Sequence, residues 1–234
     1  MKKIFYLLSI ASLFSCGDTN SQIIENIGAS KFQLLTSKQE GIIIDVRTPK
    51  EFHSGHIQES VNIDFYADDF TEKLRLLRKN VPIYVYCRSG GRSFSAAKKM
   101  QDLGFFKVYN LSGGIGSWNA ENYATIKSQE KESVSQPTFT ILEIENILKN
   151  SEVVLIDFST EWCIPCKKMK PVIQQIKKEA PNVTVLFIDA EVNKELVTRY
   201  QIKGVPVFLV FKNAEEVFRH IGVISKGELL KQLK

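Results

Sequence analysis

Short apolar runs of strand length alternate with segments of helical spacing along this chain, and they do so twice, on either side of one polar stretch. In the first block, Gly41-Ile42-Ile43-Ile44-Asp45-Val46 and Val81 to Tyr86 have the character of buried strands. Ser93 to Leu103 has helical spacing and ends at Gly104, a residue suited to a helix C-cap. In the second block, the order is a helix near Ile141–Lys149, a strand Val153–Phe158, a helix after Cys166, strands Val183–Ile188 and Val207–Phe211, and a last helix from Lys226. Strands alternating with helices predict an α/β fold with a parallel sheet. Between the blocks, Ile126 to Gln136 is polar and balanced in charge and runs into Pro137, which predicts a linker. As flexible coil, its ends would lie roughly 18 Å apart. A chain of 234 residues accommodates two domains of about 100 residues each. The expected boundaries are residues 1–16 for an export signal, 17–31 for a tether, 32–125 and 138–234 for the domains, and 126–137 for the linker.

The composition, 44% hydrophobic and 24% charged, excludes global disorder, a collagen-like fibre and a multi-span membrane protein. The net charge of +5 falls to about +3 once Lys2 and Lys3 leave with the export signal. That is too weak a field to predict nucleic-acid binding.

At the N-terminus, Met1-Lys2-Lys3 precedes an apolar run from Ile4 to Phe14, the pattern of a secretory signal. The run is too short to cross a bilayer as a helix. Leu13-Phe14-Ser15-Cys16 resembles the lipobox of bacterial lipoproteins. The resemblance implies acylation of Cys16, which becomes the first residue of the mature protein, and a location in the cell envelope facing the periplasm. Several acyl chains give stable anchoring where one does not.

The chain has four cysteines: Cys16, Cys87, Cys163 and Cys166. In an exported protein, two structural disulfides would be the default, but their spacing points elsewhere. Cys87 follows a buried strand and precedes a helix, in the segment Val85-Tyr86-Cys87-Arg88-Ser89-Gly90-Gly91-Arg92-Ser93. The end of a strand in a parallel sheet is where α/β folds place their sites. The two glycines let the backbone N–H groups curl toward the sulfur. The helix N-terminus, Arg88 and Arg92 add positive potential, which favours thiolate. The same cradle would hold an anion or a persulfide.

This segment resembles the rhodanese family of sulfurtransferases. Asp45-Val46-Arg47-Thr48-Pro49 with Glu51-Phe52 and Gly55-His56-Ile57, and Leu103-Gly104-Phe105 with Leu111-Ser112-Gly113-Gly114-Ile115 and Trp118, are similar to the family's other motifs in order. The resemblance implies that Cys87 carries a sulfane sulfur from a donor such as thiosulfate, cradled by Arg88, Ser89, Gly90, Gly91 and Arg92. Four residues separate Cys87 from Arg92. Phosphatases of related fold use a longer loop, so phosphatase chemistry is not expected. Asp45, Arg47 and Glu51 are read as a structural network, and His56 as a packing or capping residue.

Trp162-Cys163-Ile164-Pro165-Cys166 follows the strand that carries Asp157. A zinc site would need two further ligands, and His53, His56 and His220 are remote in sequence. Redox chemistry is the better reading, with Cys163 at a helix N-terminus as the attacking thiolate and Cys166 as the resolving thiol. The whole block resembles thioredoxin, which implies a mixed sheet, a proton-relaying carboxylate at Asp157, and a cis proline at Pro206 after Val205 facing the disulfide. Trp162, Val205 and Pro206 are therefore expected to contact substrate. Ile164 stands where thioredoxin has glycine, and Val185 about where bacterial thioredoxins often carry a lysine.

The expected protein is thus an α/β chain joining a rhodanese-like parallel-sheet domain to a thioredoxin-like domain, tethered to the membrane and without a metal or organic cofactor. Three functions fit it. The redox pair could reduce a persulfide on Cys87. It could instead reduce protein disulfides, drawing on an envelope electron donor, while the first domain docks a partner. The chain could also be a non-catalytic persulfide sensor.

Overall fold

A computed structural model describes residues 23–128 and 137–234. The first domain runs β1 (Ile24–Ile27), α1 (Ala29–Thr36), β2 (Ile42–Asp45), α2 (Pro49–Ser54), β3 (Ser60–Asn62), α3 (Phe70–Arg75), β4 (Pro82–Tyr86), α4 (Gly91–Asp102), β5 (Lys107–Leu111) and α5 (Gly114–Ala120). Its five strands form one sheet in the order β1-β5-β4-β2-β3, with every pairing parallel. Helices cover both faces, which is why β2 and β4 read as continuous apolar runs. Ile83 and Val85 of β4 face a cluster with Phe70, Ala96 and Met100. Tyr84 and Tyr86, on the other side, pack with Phe32 and Trp118.

The second domain runs α6 (Ile141–Asn150), β6 (Val153–Ser159), α7 (Ile164–Glu179), β7 (Val183–Asp189), α8 (Lys194–Arg199), β8 (Val207–Lys212), β9 (Glu215–Ile221) and α9 (Lys226–Gln232). The sheet order is β7-β6-β8-β9. It is mixed: β6 pairs with β7 in parallel and with β8 antiparallel, and β8 pairs antiparallel with β9. Val154, Ile156 and Phe158 of β6 pack with Ile144 and Leu196. Val153 and Leu155 face the opposite way, onto Met169, Ile173 and Leu229. Capping boxes at Thr140 with Glu143 and at Ser225 with Glu228 fix where α6 and α9 begin.

Two of the expected boundaries move. Residues 24–27, placed in the tether by their polarity, form β1 on the edge of the first sheet, and α1 starts at Ala29. Glu25 and Asn26 separate the two buried isoleucines, so no apolar run marks the strand. Ile126, placed in the linker, exchanges two main-chain hydrogen bonds of 2.9 Å with His56 and closes the first domain. The export signal, Cys16 and residues 129–136 of the linker lie outside the described residues. Among the described residues, no helix is long and apolar enough to cross a membrane.

Candidate active site

Two sulfur centres stand on this scaffold. Cys87 is the first residue after β4, and α4 opens four residues later. Its sulfur accepts hydrogen bonds from the Gly90 N–H at 3.1 Å and from the Ser93 hydroxyl at 3.4 Å. The thiol is buried, at 1% exposure, and it is a free cysteine. Burial opposes its ionisation, but the Ser93 hydroxyl and the main-chain N–H groups of Ser93, Ser89 and Gly90 outweigh that, so its pKa lies below the ordinary thiol value.

The Leu111-Ser112-Gly113-Gly114 run shapes this loop from behind. The N–H of Ile115 donates to the Cys87 carbonyl at 2.8 Å, and that of Gly116 to the Arg88 carbonyl at 3.2 Å. A Cβ at Gly114 would collide with those same carbonyls, so only glycine lets the two backbones meet.

Arg88, Ser89 and Gly91 are exposed at the mouth of the loop, and Gly90 is buried beneath them. Arg92 grips Glu51 through two hydrogen bonds of 2.9 and 2.8 Å. The guanidinium pulls the Glu51 carboxyl down to a pKa of about 2. Glu51 therefore ties the Cys87 loop to the group the sequence forms from it with Asp45 and Arg47, since its charge also acts on Arg47. The strap binds α2 to the start of α4, and Arg92 still contributes its charge near Cys87. Asp45 and Arg47 form a separate buried pair at 2.6 Å, and Arg47 also donates to the Gly55 carbonyl at 2.7 Å. His56 stacks on Phe52 with ring centroids 3.7 Å apart and contacts the Phe52 carbonyl through Nδ1 at 3.0 Å, a packing role.

The second centre is the Cys163–Cys166 disulfide. Cys163 is the N-cap of α7, a helix of 16 residues, and its sulfur accepts from the Cys166 N–H at 3.2 Å. When the pair is reduced, the helix N-terminus and this donor favour the Cys163 thiolate. Both sulfurs are nearly covered, at 4% and 5% exposure. The Val205–Pro206 peptide bond is cis. Asp157 lies on β6, on the strand face that also carries Val153 and Leu155, and is 3% exposed. Burial raises its pKa to about 7, opposed only by the charge of Lys170. One oxygen of its carboxylate has no hydrogen-bond partner.

The covering of the disulfide comes from the first domain. The N–H of Val205 donates to the Leu76 carbonyl at 3.0 Å. Leu76 shares an apolar cluster with Cys163, Cys166, Ile202 and Val205. Trp162 and Ile164 pack in turn against the core of the first domain. Lys73 pairs with Glu191 at 3.3 Å, and Lys168 with Glu59 at 3.2 Å. Leu76 to Arg78 lie just before β4, whereas Cys87 lies just after it. The redox pair thus meets the first domain at the end of β4 opposite to Cys87, and a five-residue strand spans about 16 Å.

Ser93 and the Leu76–Arg78 segment are absent from the sequence-based set. Ser93 carries a usable signal, a hydroxyl in the first turn of the helix after the cysteine. Leu76 to Arg78 carry none, because their role depends on the second domain.

Residues 28–121 match the family described as rhodanese-like domain, and residues 135–234 match the family described as thioredoxin. A thioredoxin of Chlamydia trachomatis is 38% identical over 81 residues, covering 35% of this chain and 79% of its own length. A thioredoxin of Buchnera aphidicola is 39% identical over 84 residues, covering 36% of this chain and 77% of its own length. Among solved structures, the oxidized form of mitochondrial thioredoxin 3 from Saccharomyces cerevisiae is 25% identical, covers 41% of this chain and 91% of that one, and has a TM-score of 0.39.

Proposed function

The chain belongs to the thioredoxin family, with a rhodanese-like domain ahead of its thioredoxin domain, and from that premise we propose a two-centre sulfur enzyme. Its domains fit sulfurtransferase and thiol–disulfide oxidoreductase chemistry in general. In the specific reading, the Cys87 thiolate attacks the outer sulfur of thiosulfate. The sulfur–sulfur bond of the donor breaks, sulfite leaves, and Cys87 becomes a persulfide. The Cys163 thiolate then attacks the outer sulfur and releases the Cys87 thiolate. Cys166, losing its proton to Asp157, attacks the inner sulfur of Cys163. Hydrosulfide leaves and the Cys163–Cys166 disulfide forms. The two electrons that reduce the sulfane sulfur come from the dithiol, and an external dithiol donor restores it.

The observation that carries this reading is one chain holding a free, hydrogen-bonded thiol at Cys87 and a disulfide at Cys163–Cys166. One centre is placed to accept sulfur, and the two sulfurs of the other lie close enough to close a disulfide as they give up two electrons. Tethering the centres on one chain puts each near the other at roughly mM effective concentration. Incubating the reduced protein with thiosulfate is expected to add one sulfur atom to Cys87, read by intact mass. That sulfur should be lost as hydrosulfide faster when Cys163 is present than in Cys163→Ser. No added sulfur, or equal rates of loss, would overturn the coupling.

A second reading, reduction of protein disulfides, draws on the Val205 N–H, which already donates to a main-chain carbonyl. An extended substrate strand would offer the same acceptor. In either case we place the protein in the cell envelope, anchored through lipid on Cys16. The support is the signal pattern and the thiol at its end. Metabolic labelling with a fatty acid should mark the protein and be lost in Cys16→Ala; labelling that persists would remove the anchor.

A further inference from the structure

We propose that Leu76-Leu77-Arg78 of the first domain is an internal gate, occupying the strip beside Cys163–Cys166 that an incoming sulfur or disulfide must use. The inference rests on reading Cys163 and Cys166 as the redox pair. Three contacts build the gate. The Leu76 carbonyl takes the Val205 N–H, the main-chain donor one residue before the cis proline. The Leu76 side chain, 7% exposed, joins the apolar cluster that contains both sulfurs. Arg78 then runs along Gly204 and Gly222. A Cβ added at Gly222 would come within 2.7 Å of the Arg78 guanidinium, and one at Gly204 within 3.1 Å of its Cα and Cγ. The slot fits Arg78 because both positions lack a side chain.

Two of the groups that hold the gate contribute little to keeping it shut. Burial lowers the pKa of Arg78, and its Nε has no hydrogen-bond partner, so the guanidinium is desolvated without full compensation. The ion pair of Lys168 with Glu59 is exposed on both sides, and such pairs contribute little. Closure has a direct consequence for the chemistry. With the gate shut, the redox pair stands at the opposite end of β4 from Cys87, so a dithiol on this chain cannot discharge the persulfide until the domains separate. Reactivity at Cys163 then scales with the open fraction.

The test uses the full chain, reduced and freed of reductant, with three readouts: the rate at which iodoacetamide alkylates Cys163, turnover of an insulin disulfide, and loading of Cys87 from thiosulfate. Leu76→Asp places a charge in the apolar cluster. Arg78→Ala empties the glycine slot and breaks no ion pair. Both are expected to raise Cys163 alkylation and insulin turnover roughly threefold or more, with Cys87 loading unchanged. If Leu76→Asp loses Cys87 loading because its domain misfolds, Arg78→Ala decides. Alkylation as fast in the wild type as in Arg78→Ala would overturn the gate. Faster alkylation without any insulin turnover would leave the gate standing and remove the protein-disulfide reading instead.

Discussion

Cys163→Ser is expected to abolish reduction of an insulin disulfide by the full chain, and Cys166→Ser to stop it at a covalent adduct. The asymmetry follows from where α7 begins. Cys163 is its N-cap, so the Cys166 N–H donates to its sulfur and the positive end of the helix lies beside it. That environment stabilises a thiolate at Cys163 and makes it the sulfur that attacks. Cys166 lies within the first turn, buried against the core, and reaches only its neighbour. Removing an attacking nucleophile lowers turnover by roughly a thousandfold or more. Removing the resolving thiol lowers it as far, but by a different route. The mixed disulfide forms once on Cys163 and persists, visible as a mass adduct or a non-reducing gel band. Cys87, buried within the other domain, is not exposed to act as a substitute resolving thiol. An adduct on Cys166 in the Cys163→Ser chain, with turnover retained in Cys166→Ser, would reverse the two roles.

The parts of these centres that are legible in the sequence are those that neighbouring residues build. The Cys87 cradle is made by a loop of consecutive residues, so its glycines and its Ser93 hydroxyl stand in order along the chain. The same holds for Cys163 and Cys166, one helical turn apart. The two α/β sheets are equally readable, because strands buried on both faces leave runs such as Ile42-Ile43-Ile44. Contacts between distant segments leave no such trace. Glu51 and Arg92 are 41 positions apart, and nothing local to either distinguishes Arg92 from Arg47 as the partner. Edge strands are obscured for another reason. In β9, Glu215, Glu216, Arg219 and His220 break the apolar run, since an edge strand that faces solvent needs charge to prevent pairing with other chains. Leu76 and Arg78 sit at the far limit: as part of their own domain they read as an ordinary helix end, and only docking of the second domain gives them a role.

The gate and the coupling together constrain the order of events. On that proposal, sulfur loads onto Cys87 with the domains closed, because Arg88, Ser89 and Gly91 are exposed at the mouth of its loop, at the end of β4 opposite to Leu76–Arg78. Discharge would then require the domains to part, which would also free the Val205 N–H for another partner. A persulfide and a protein disulfide would then compete for the same open state. Raising the concentration of a protein disulfide should slow hydrosulfide release from loaded Cys87, as population-shift arithmetic requires of two ligands that draw on one minor state.

Asp157→Asn is expected to change both stability and turnover, in opposite directions at alkaline pH. The carboxyl is buried and its pKa is raised to about 7 by desolvation, against an ordinary unfolded value near 3.9. Between those two values, the folded chain holds a proton that the unfolded chain has released. Stability contributed by this group is therefore complete below about pH 4 and falls as pH rises through about 7, after which it is flat. The full span is on the order of 4 kcal/mol at most, at 1.36 kcal/mol for each pKa unit. Asparagine carries no such penalty. Denaturant unfolding of the oxidised chain should show the variant gaining on the wild type between pH 4.5 and pH 8. On the proposed mechanism the same substitution removes the group that takes the proton from Cys166, and losing a positioned acid–base typically slows turnover about a hundredfold or more. The rise of turnover with pH near 7 should vanish with it. A stability difference that stays constant from pH 4.5 to pH 8 would mean that Asp157 does not titrate in that range. Turnover slowed without any change in its pH profile would make Asp157 a packing residue and leave the proton on Cys166 to solvent.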